Sequence, residues 1–290
     1  MIDVAEAFDV PCYVFFTCGA ATLGLMFHFQ TLEDEQIKEI SNLVHVEMKL
    51  VIPSLTNDVP SSVIPIFTTR KEIWRCWFLK ATREYRRAKG IIVNTFADLE
   101  PHAINSFLME YSYGTSRLPP IFPIGLVLNT SQIQTQSTND HSEMMEWMDI
   151  QPEKSGAFLC VGSIGSFKLD QVKEIAVGLE KEFENHGLAL PEGFLDRAAL
   201  IGKVVGWIPQ MAILSHPAVG GFVSYCGSWF AISGYLVWCA NCCMAIVGEQ
   251  QFSAFQLVKE LAMAVEISLD YNETNEHQTN RERNKGSHGW

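Results

Sequence analysis

The hydrophobic pattern changes period repeatedly along the chain. A short amphipathic stretch leads into the apolar block "VPCYVFF" and then "GAATLGLMFHFQTL". That order predicts a helix end, a buried strand and a helix, with Glu33-Asp34-Glu35 on the exposed side. Residues 10–29 are long enough to span a bilayer, but Pro11, Gly19, Gly24 and His28 interrupt them, so strand followed by helix is the reading taken. "IPSLTNDVPSSVIP", with Pro53, Pro60 and Pro65, predicts loop. Ile73, Trp77, Phe78, Ala81 and Tyr85 recur at helical spacing, and the basic end Arg86-Arg87 suits a helix C-terminus. "GIIVNTF" is a short, wholly apolar run of the kind found in parallel sheets, and "LEPHAINSFL" returns to a helical pattern.

Residues 118–140 are rich in Pro, Ser, Thr, Gln and Asn, a linker composition. A second alternation follows. "GAFLCVGSIGS" predicts a strand and a glycine turn, "LDQVKEIAVGLEK" a helix, and "KVVGWIP" and "AVGGFVSYCG" further strands. Alternating strands and helices mean an α/β class. The expected boundaries are a first domain over 1–125, a linker over 126–150, a second domain over 151–271, and a polar, disordered tail over 272–290.

Composition narrows the partners. Of 290 residues, 48% are hydrophobic, enough for a packed core. With 21 basic against 33 acidic side chains the net charge is −12, which argues against nucleic acid and anionic membranes. The eight cysteines mostly sit singly in apolar runs, and no basic leader precedes the first helix, so reduced thiols and a cytoplasmic address are expected. Cys239-x-x-Cys242 lacks a second ligand pair at zinc spacing, so no metal is expected.

Two turns carry candidate chemistry. In "CVGSIGS", Gly162 and Ser163 follow a strand and precede a helix; backbone N–H groups there can cradle a phosphate, and a plain turn is the other reading. In "GWIPQMAILSHPAVGGFVSYCG", residues 206–227, Trp207 offers an indole face for a base to stack on. Gln210 can bond a ribose hydroxyl, and Glu249 with Gln250 can bond sugar hydroxyls; a core tryptophan and polar helix caps are the alternatives.

This second stretch resembles the donor-binding signature of the plant UDP-dependent glycosyltransferases, W-x-P-Q, then L-x-H-P-x-x-G-x-F-x-x-H-C-G-W-N-S and a closing E-Q. The spacing from Trp207 to Gln250 equals the family's. "MIDVAEAFDVPCYVFFT", "GIIVNTFADLEPHA", "LPPIFPIG", "LPEGFLDR" and "QFSAFQLVKELAMAVEISLDY" match as well. The resemblance implies a GT-B fold of two Rossmann-like domains with parallel sheets, both incomplete here. It implies UDP-sugar as co-substrate, without a separate cofactor, and hexose transfer to a hydroxyl of a small, often phenolic or apolar, acceptor. Residual donor contacts would be Gly162, Ser163, Trp207, Gln210, Gly227, Glu249 and Gln250.

The centre of the box departs from the family. Where the family has H-C-G-W-N-S-T-x-E, this chain reads Tyr225-Cys226-Gly227-Ser228-Trp229-Phe230-Ala231-Ile232-Ser233. In the family the histidine, asparagine and serine contact the diphosphate and the glutamate holds the ribose. Tyr225, Ser228, Trp229, Phe230 and Ser233 therefore mark a degenerate donor site. Residues 229–247 also suit a hypothesis of two compensating frameshifts, near Ser228 and near Gly248; a nucleotide alignment in one continuous frame would overturn it. The family's catalytic histidine and its aspartate partner precede the stretch matching Met1, and none of His28, His45, His102 or His216 matches that motif; His216, in the H-P of the box, suits a structural role. Between "IAVGLEK" and "LPEGFLDR" the family places a strand for which this chain has only "EFENHGLA". The sequence thus predicts a family member without transferase activity, with three readings open. The first is an active transferase, for which no general base is visible, and the second a non-catalytic interaction protein that pairs with a full-length relative. The third is the product of a decayed gene that folds poorly, favoured by an exposed sheet edge and misplaced aromatics.

Overall fold

The structure is a computed structural model that describes residues 2–35, 48–65, 73–109, 112–114, 117–127, 139–160, 202–203, 205, 208–224, 226, 240–243 and 250–266. The chain divides into two compact units, one of Met1–Asn129, Val223–Leu236 and Ala240–Trp290, the other of Thr130–Phe222 and Val237–Cys239.

The first unit begins as its pattern predicts: helix α1 (Ile2–Ala7), strand β1 (Tyr13–Phe16) and helix α2 (Ala20–Asp34). The long apolar run is therefore strand plus helix, and among the described residues no helix is long and apolar enough to cross a membrane. After the small antiparallel pair β2 (Lys49–Leu50) and β3 (Val59–Pro60) come helix α3 (Ile73–Arg87), strand β4 (Gly90–Val93), helix α4 (Pro101–Ser106) and strand β5 (Ile121–Pro123). The sheet order is β1-β4-β5 and both pairings are parallel, with Phe15 beside Ile92 and Ile92 beside Phe122.

One face of this sheet makes the core. Phe16, Ile91 and Val93 join Ala20, Ala21, Leu23, Leu25, Met26, Phe27 and Phe29 of α2 in a single buried cluster. A helix apolar nearly all round must be covered nearly all round. Here α3 and α4 both contact α2, and Phe252 and Phe255 of helix α7 (Gln250–Phe255) join the same cluster. At the end of α3, Arg87 pairs with Asp3 of α1 at 2.7 Å and with Glu84 at 2.8 Å, and it also pairs with Glu6. The helical spacing counted Trp77 among the apolar positions of α3, but its side chain is exposed.

The second unit holds helix α5 (Asn139–Asp149), strand β6 (Gly156–Cys160), helix α6 (Gln210–Leu214) and strand β7 (Val219–Ser224), whose last two residues fall in the first unit. Helix α5 occupies part of the stretch expected as linker. Its polar composition conceals Met144 and Met148, four apart, which pack on Ile213. Strand β6 runs beside β7, with Gly156 N–H donating to the Ala218 carbonyl at 2.8 Å and Phe158 stacked on Phe222 at 5.7 Å. Gly220 is required here: a Cβ would lie 2.4 Å from the Lys154 carbonyl oxygen, and backbone cannot yield as a side chain can. In the first unit β8 (Ala240–Cys243) and β9 (Val265–Glu266) form a further parallel pair. The helix expected over "LDQVKEIAVGLEK", the shortened segment "EFENHGLA" and the polar tail lie outside the described residues; of "KVVGWIP", where a strand was expected, Lys203, Val205, Ile208 and Pro209 are described and none of them lies in a strand.

Candidate functional site

Parallel α/β sheets bind ligands beyond the carboxyl ends of their strands, where helix N-termini offer free N–H groups. The first such place follows β1. The N-cap of α2, Gly19, supplies no side chain, and the buried carboxylate of Glu100 fills the position instead. Its Oε2 accepts the Ala20 N–H at 2.8 Å and its Oε1 the Ala21 N–H at 2.9 Å. A Cβ on Gly19 would meet Glu100 Oε2 at 2.7 Å, so glycine lets the carboxylate approach. The positive end of this helix thus already holds an anion from its own chain. A phosphate has no place there.

Glu100 also accepts from Gln256 Nε2 at 3.5 Å, and Gln256 Oε1 accepts from the Thr22 hydroxyl at 3.2 Å. Gln256 opens a π-helical turn, Gln256–Glu260, that continues α7. At its far end Glu260 Oε2 accepts the Thr56 N–H and hydroxyl, both at 2.8 Å, and Oε1 accepts the Asn57 N–H and side-chain amide, both at 2.9 Å. Burial pushes the Glu260 carboxyl up, and these hydrogen bonds outweigh it and hold the group below its ordinary 4.5. The π-helical turn is therefore bonded at Gln256 to Thr22 of α2 and to Glu100, and at Glu260 to the loop between β2 and β3. The sequence shows the residues in "NTFADLEPHA" and "QLVKEL" but not their pairing.

Of the residues assigned to donor binding, Gln210 and Gln250 are described. Gln210 is the first residue of α6, after Pro209, and its side-chain Nε2 is buried with no hydrogen-bond partner among the described residues. A buried amide donor without a partner is costly, and a ribose hydroxyl would satisfy it. Gln250 is buried at the start of α7. Gly162, Ser163, Trp207, Gly227 and Glu249 lie outside the described residues, as do the altered positions Tyr225, Ser228, Trp229, Phe230 and Ser233. The box centre itself is marked by Cys226. It follows the end of β7, is fully buried, adopts φ 58°, and donates its N–H to Ser224 Oγ at 3.0 Å. Cys226 is one of four non-glycine residues with positive φ among the described residues, with Asp9, Lys154 and Ala262.

The histidines take other places. His216 Nδ1 accepts the Ala218 N–H at 3.2 Å, so its proton sits on Nε2, which donates to Asp149 Oδ1 at 3.1 Å. Both ring nitrogens are engaged in holding the H-P turn against the end of α5. His102 Nε2 lies 3.1 Å from the Pro53 carbonyl oxygen, and His45 lies outside the described residues.

His28 is largely buried on α2, and burial pushes it down from 6.5 to about 4. Below pH 6.5 the unfolded chain takes up a proton that the folded chain refuses. Stability is thus complete above 6.5 and falls as pH drops toward 4, by roughly 3 kcal/mol from this group. Urea unfolding at pH 7 and pH 4.5 should show that loss, and His28→Leu should flatten it.

Residues 115–274 match the family model described as UDP-glucoronosyl and UDP-glucosyl transferase. The chain is 41% identical over 297 residues to UDP-glucose flavonoid 3-O-glucosyltransferase 6 of Fragaria ananassa, covering 93% of this chain and 61% of that protein. Against anthocyanidin 3-O-glucosyltransferase 6 of Manihot esculenta it is 41% identical over 305 residues, covering 95% and 74%. Among solved structures, a transferase from Siraitia grosvenorii in complex with UDP superposes with a TM-score of 0.83 at 36% identity, over 93% of this chain and 65% of that one. UGT71G1 of Medicago truncatula complexed with UDP-glucose gives 0.79 at 34% identity, over 93% and 60%. The chain thus spans about three fifths of the length of most of these proteins, and its α/β units with parallel strands are a portion of their GT-B fold.

Proposed function

The chain belongs to the UDP-glucoronosyl and UDP-glucosyl transferase family, and on that premise we propose that it descends from enzymes that move a hexose from UDP to a hydroxyl of a small acceptor but does not itself carry out the transfer. The observation that supports this is the substitution at the box centre, with Tyr225, Trp229, Phe230 and Ser233 where the family pattern has histidine, asparagine, serine and glutamate. A diphosphate is held by hydrogen bonds to charged oxygens, each worth about 1.5–3 kcal/mol. Losing three such partners, and placing two aromatic rings where small polar groups belong, removes several orders of magnitude in affinity. What remains is the periphery of the site: Gly162, Ser163, Trp207, Gln210, Gly227, Glu249 and Gln250. The unpartnered amide of Gln210 fits a surviving ribose contact.

A second reading, a non-catalytic binding or interaction protein, is favoured by the packed core of the first unit, where Leu23, Phe27 and Phe29 are fully buried. Such a chain has what it needs to fold and persist without turnover. The proposed address is the cytoplasm, where cysteine thiols such as Cys12 and Cys76 stay reduced.

Thermal unfolding with and without millimolar UDP-glucose tests the proposal. The expected result is a cooperative transition that the nucleotide sugar does not move. A binder present at a hundred times its dissociation constant gains about 2.7 kcal/mol, and a shift of that order would overturn the reading. Restoring the family residues together, as Tyr225→His, Trp229→Asn, Phe230→Ser and Ser233→Glu, should recover the shift.

A further inference from the structure

Strand β7 starts from a turn that one imidazole holds shut. The Val219 N–H donates to the His216 carbonyl at 3.0 Å, and Pro217 fixes the second position of the turn between them. The Ala218 N–H, at the third position, donates to His216 Nδ1 at 3.2 Å, as it would to an aspartate or asparagine oxygen in related turns. Ala218 is only 3% exposed, so its N–H can exchange the ring for water only if the turn opens. On the other side of the ring, Nε2 donates to Asp149 Oδ1 at 3.1 Å; the His216 side chain is 9% exposed and that of Asp149 73%. One ring nitrogen therefore faces a donor and the other an acceptor. Only the neutral ring with its proton on Nε2 satisfies both.

We propose that this turn is a pH-sensitive latch at the start of β7. A second proton, taken from solvent on Nδ1, makes that nitrogen a donor facing the Ala218 N–H. The hydrogen bond between them is lost, and the turn opens to let water reach the amide. The bond from Nε2 to Asp149 persists, now between opposite charges, and keeps the ring in place. The Lys154 N–H still donates to the Pro217 carbonyl at 2.9 Å and the Gly156 N–H to the Ala218 carbonyl at 2.8 Å, because neither bond uses the ring. The change is thus confined to the turn, and β6 keeps its pairing with β7. The charged groups on the neighbouring elements are Asp149 and, one turn earlier on α5, Glu146, with Glu153 and Lys154 in the turn before β6; α6, of sequence QMAIL, carries none. Of these side-chain types only imidazole ordinarily changes charge between pH 5 and 8. All these residues belong to the second unit, whereas His28 belongs to the first. The latch rests on this geometry and not on the loss of donor binding, so either can fail without the other.

Amide hydrogen exchange of the full chain at pH 7.5 and pH 5.0, corrected for intrinsic rates, is the test. Ala218 should lose about tenfold in protection at the lower pH, the weight of one hydrogen bond, while Gly156 keeps its own. His216→Asn places an amide oxygen that does not titrate where Nδ1 accepts, and protection of Ala218 in that variant should not change with pH. Should the variant fail to fold, nitrogen NMR of the unaltered chain reads the same event: the His216 Nδ1 resonance and the Ala218 amide should titrate with one midpoint. An Ala218 amide indifferent to pH, or a loss that persists in His216→Asn, overturns the proposal. So does a loss shared equally by Gly156 and by Ile91 of β4, or a pair of separate midpoints.

Discussion

Replacing Phe27 by alanine is expected to cost about 3–5 kcal/mol, the range for truncating a fully buried aromatic side chain. Phe27 has no exposed surface. Phe107 meets its ring edge-on at 6.4 Å, and Tyr113 lies at 6.1 Å with a tilt of 59°. The Arg86 guanidinium carbon sits 5.0 Å from the ring centroid, a cation–π contact that vanishes with the ring. That guanidinium also bonds the Thr31 hydroxyl at 3.1 Å and the Tyr113 carbonyl at 2.8 Å, so the cavity loosens its anchors too. A domain with 5–15 kcal/mol in hand loses a large part of its margin, and the chain should unfold at markedly lower urea. Trp77→Ala is the control. Its side chain is 66% exposed, and the change should stay within about 0.5 kcal/mol. Equal effects at the two positions would mean that the packing around α2 is not as described.

The second large effect belongs to Glu100. Glu100→Ala leaves the first two N–H groups of α2 without acceptors in a buried place and removes the acceptor of Gln256. Charge-assisted bonds of this kind contribute about 1.5–3 kcal/mol each, and the helix dipole favours the negative charge further, so a loss of about 3–4 kcal/mol is expected. Glu100→Gln should cost about half as much. Its amide oxygen can still accept one N–H, while its NH2 group faces the other. Hydrogen exchange distinguishes this from a general loss of stability: the Ala20 and Ala21 amides should lose protection at Glu100→Gln while amides in β4 keep theirs. Uniform loss across the first unit would assign Glu100 a packing role only.

Much of this architecture is legible in local order. "CYVFF" before "GAATLGLMFHF" gives a strand and then a helix, since apolar residues without alternation must be covered on every side. "GIIVNTF" gives a parallel strand for the same reason. The polar run 126–150 reads by composition as linker, yet it contains α5. Three methionines and one tryptophan among eleven residues suffice for a helix when Ile213 and Phe158 offer something to pack on. The strand Ile121–Pro123 is three residues long and carries no period at all; its register beside β4 exists only in the sheet.

At the candidate site the division is similar. Residue identities at spacings that resemble a known pattern are the ground for proposing Trp207, Gln210 and Glu249-Gln250 as donor-box residues and Tyr225, Trp229, Phe230 and Ser233 as departures from it. The fold decides what those residues meet. The unpartnered amide of Gln210, the left-handed turn at Cys226 and the doubly engaged ring of His216 follow from backbone geometry. Glu100 shows the reason most directly. Its partners lie 80 and 79 positions away in the chain and are backbone N–H groups, which every residue but proline carries. No residue type at 20 or 21 announces that pairing. The sequence by itself determined the α/β class, the family and the altered box, because periodicity and side-chain identity are local. Only the tertiary structure decided which carboxylate caps which helix and which face of the sheet packs on the core, because both depend on what distant segments bring together.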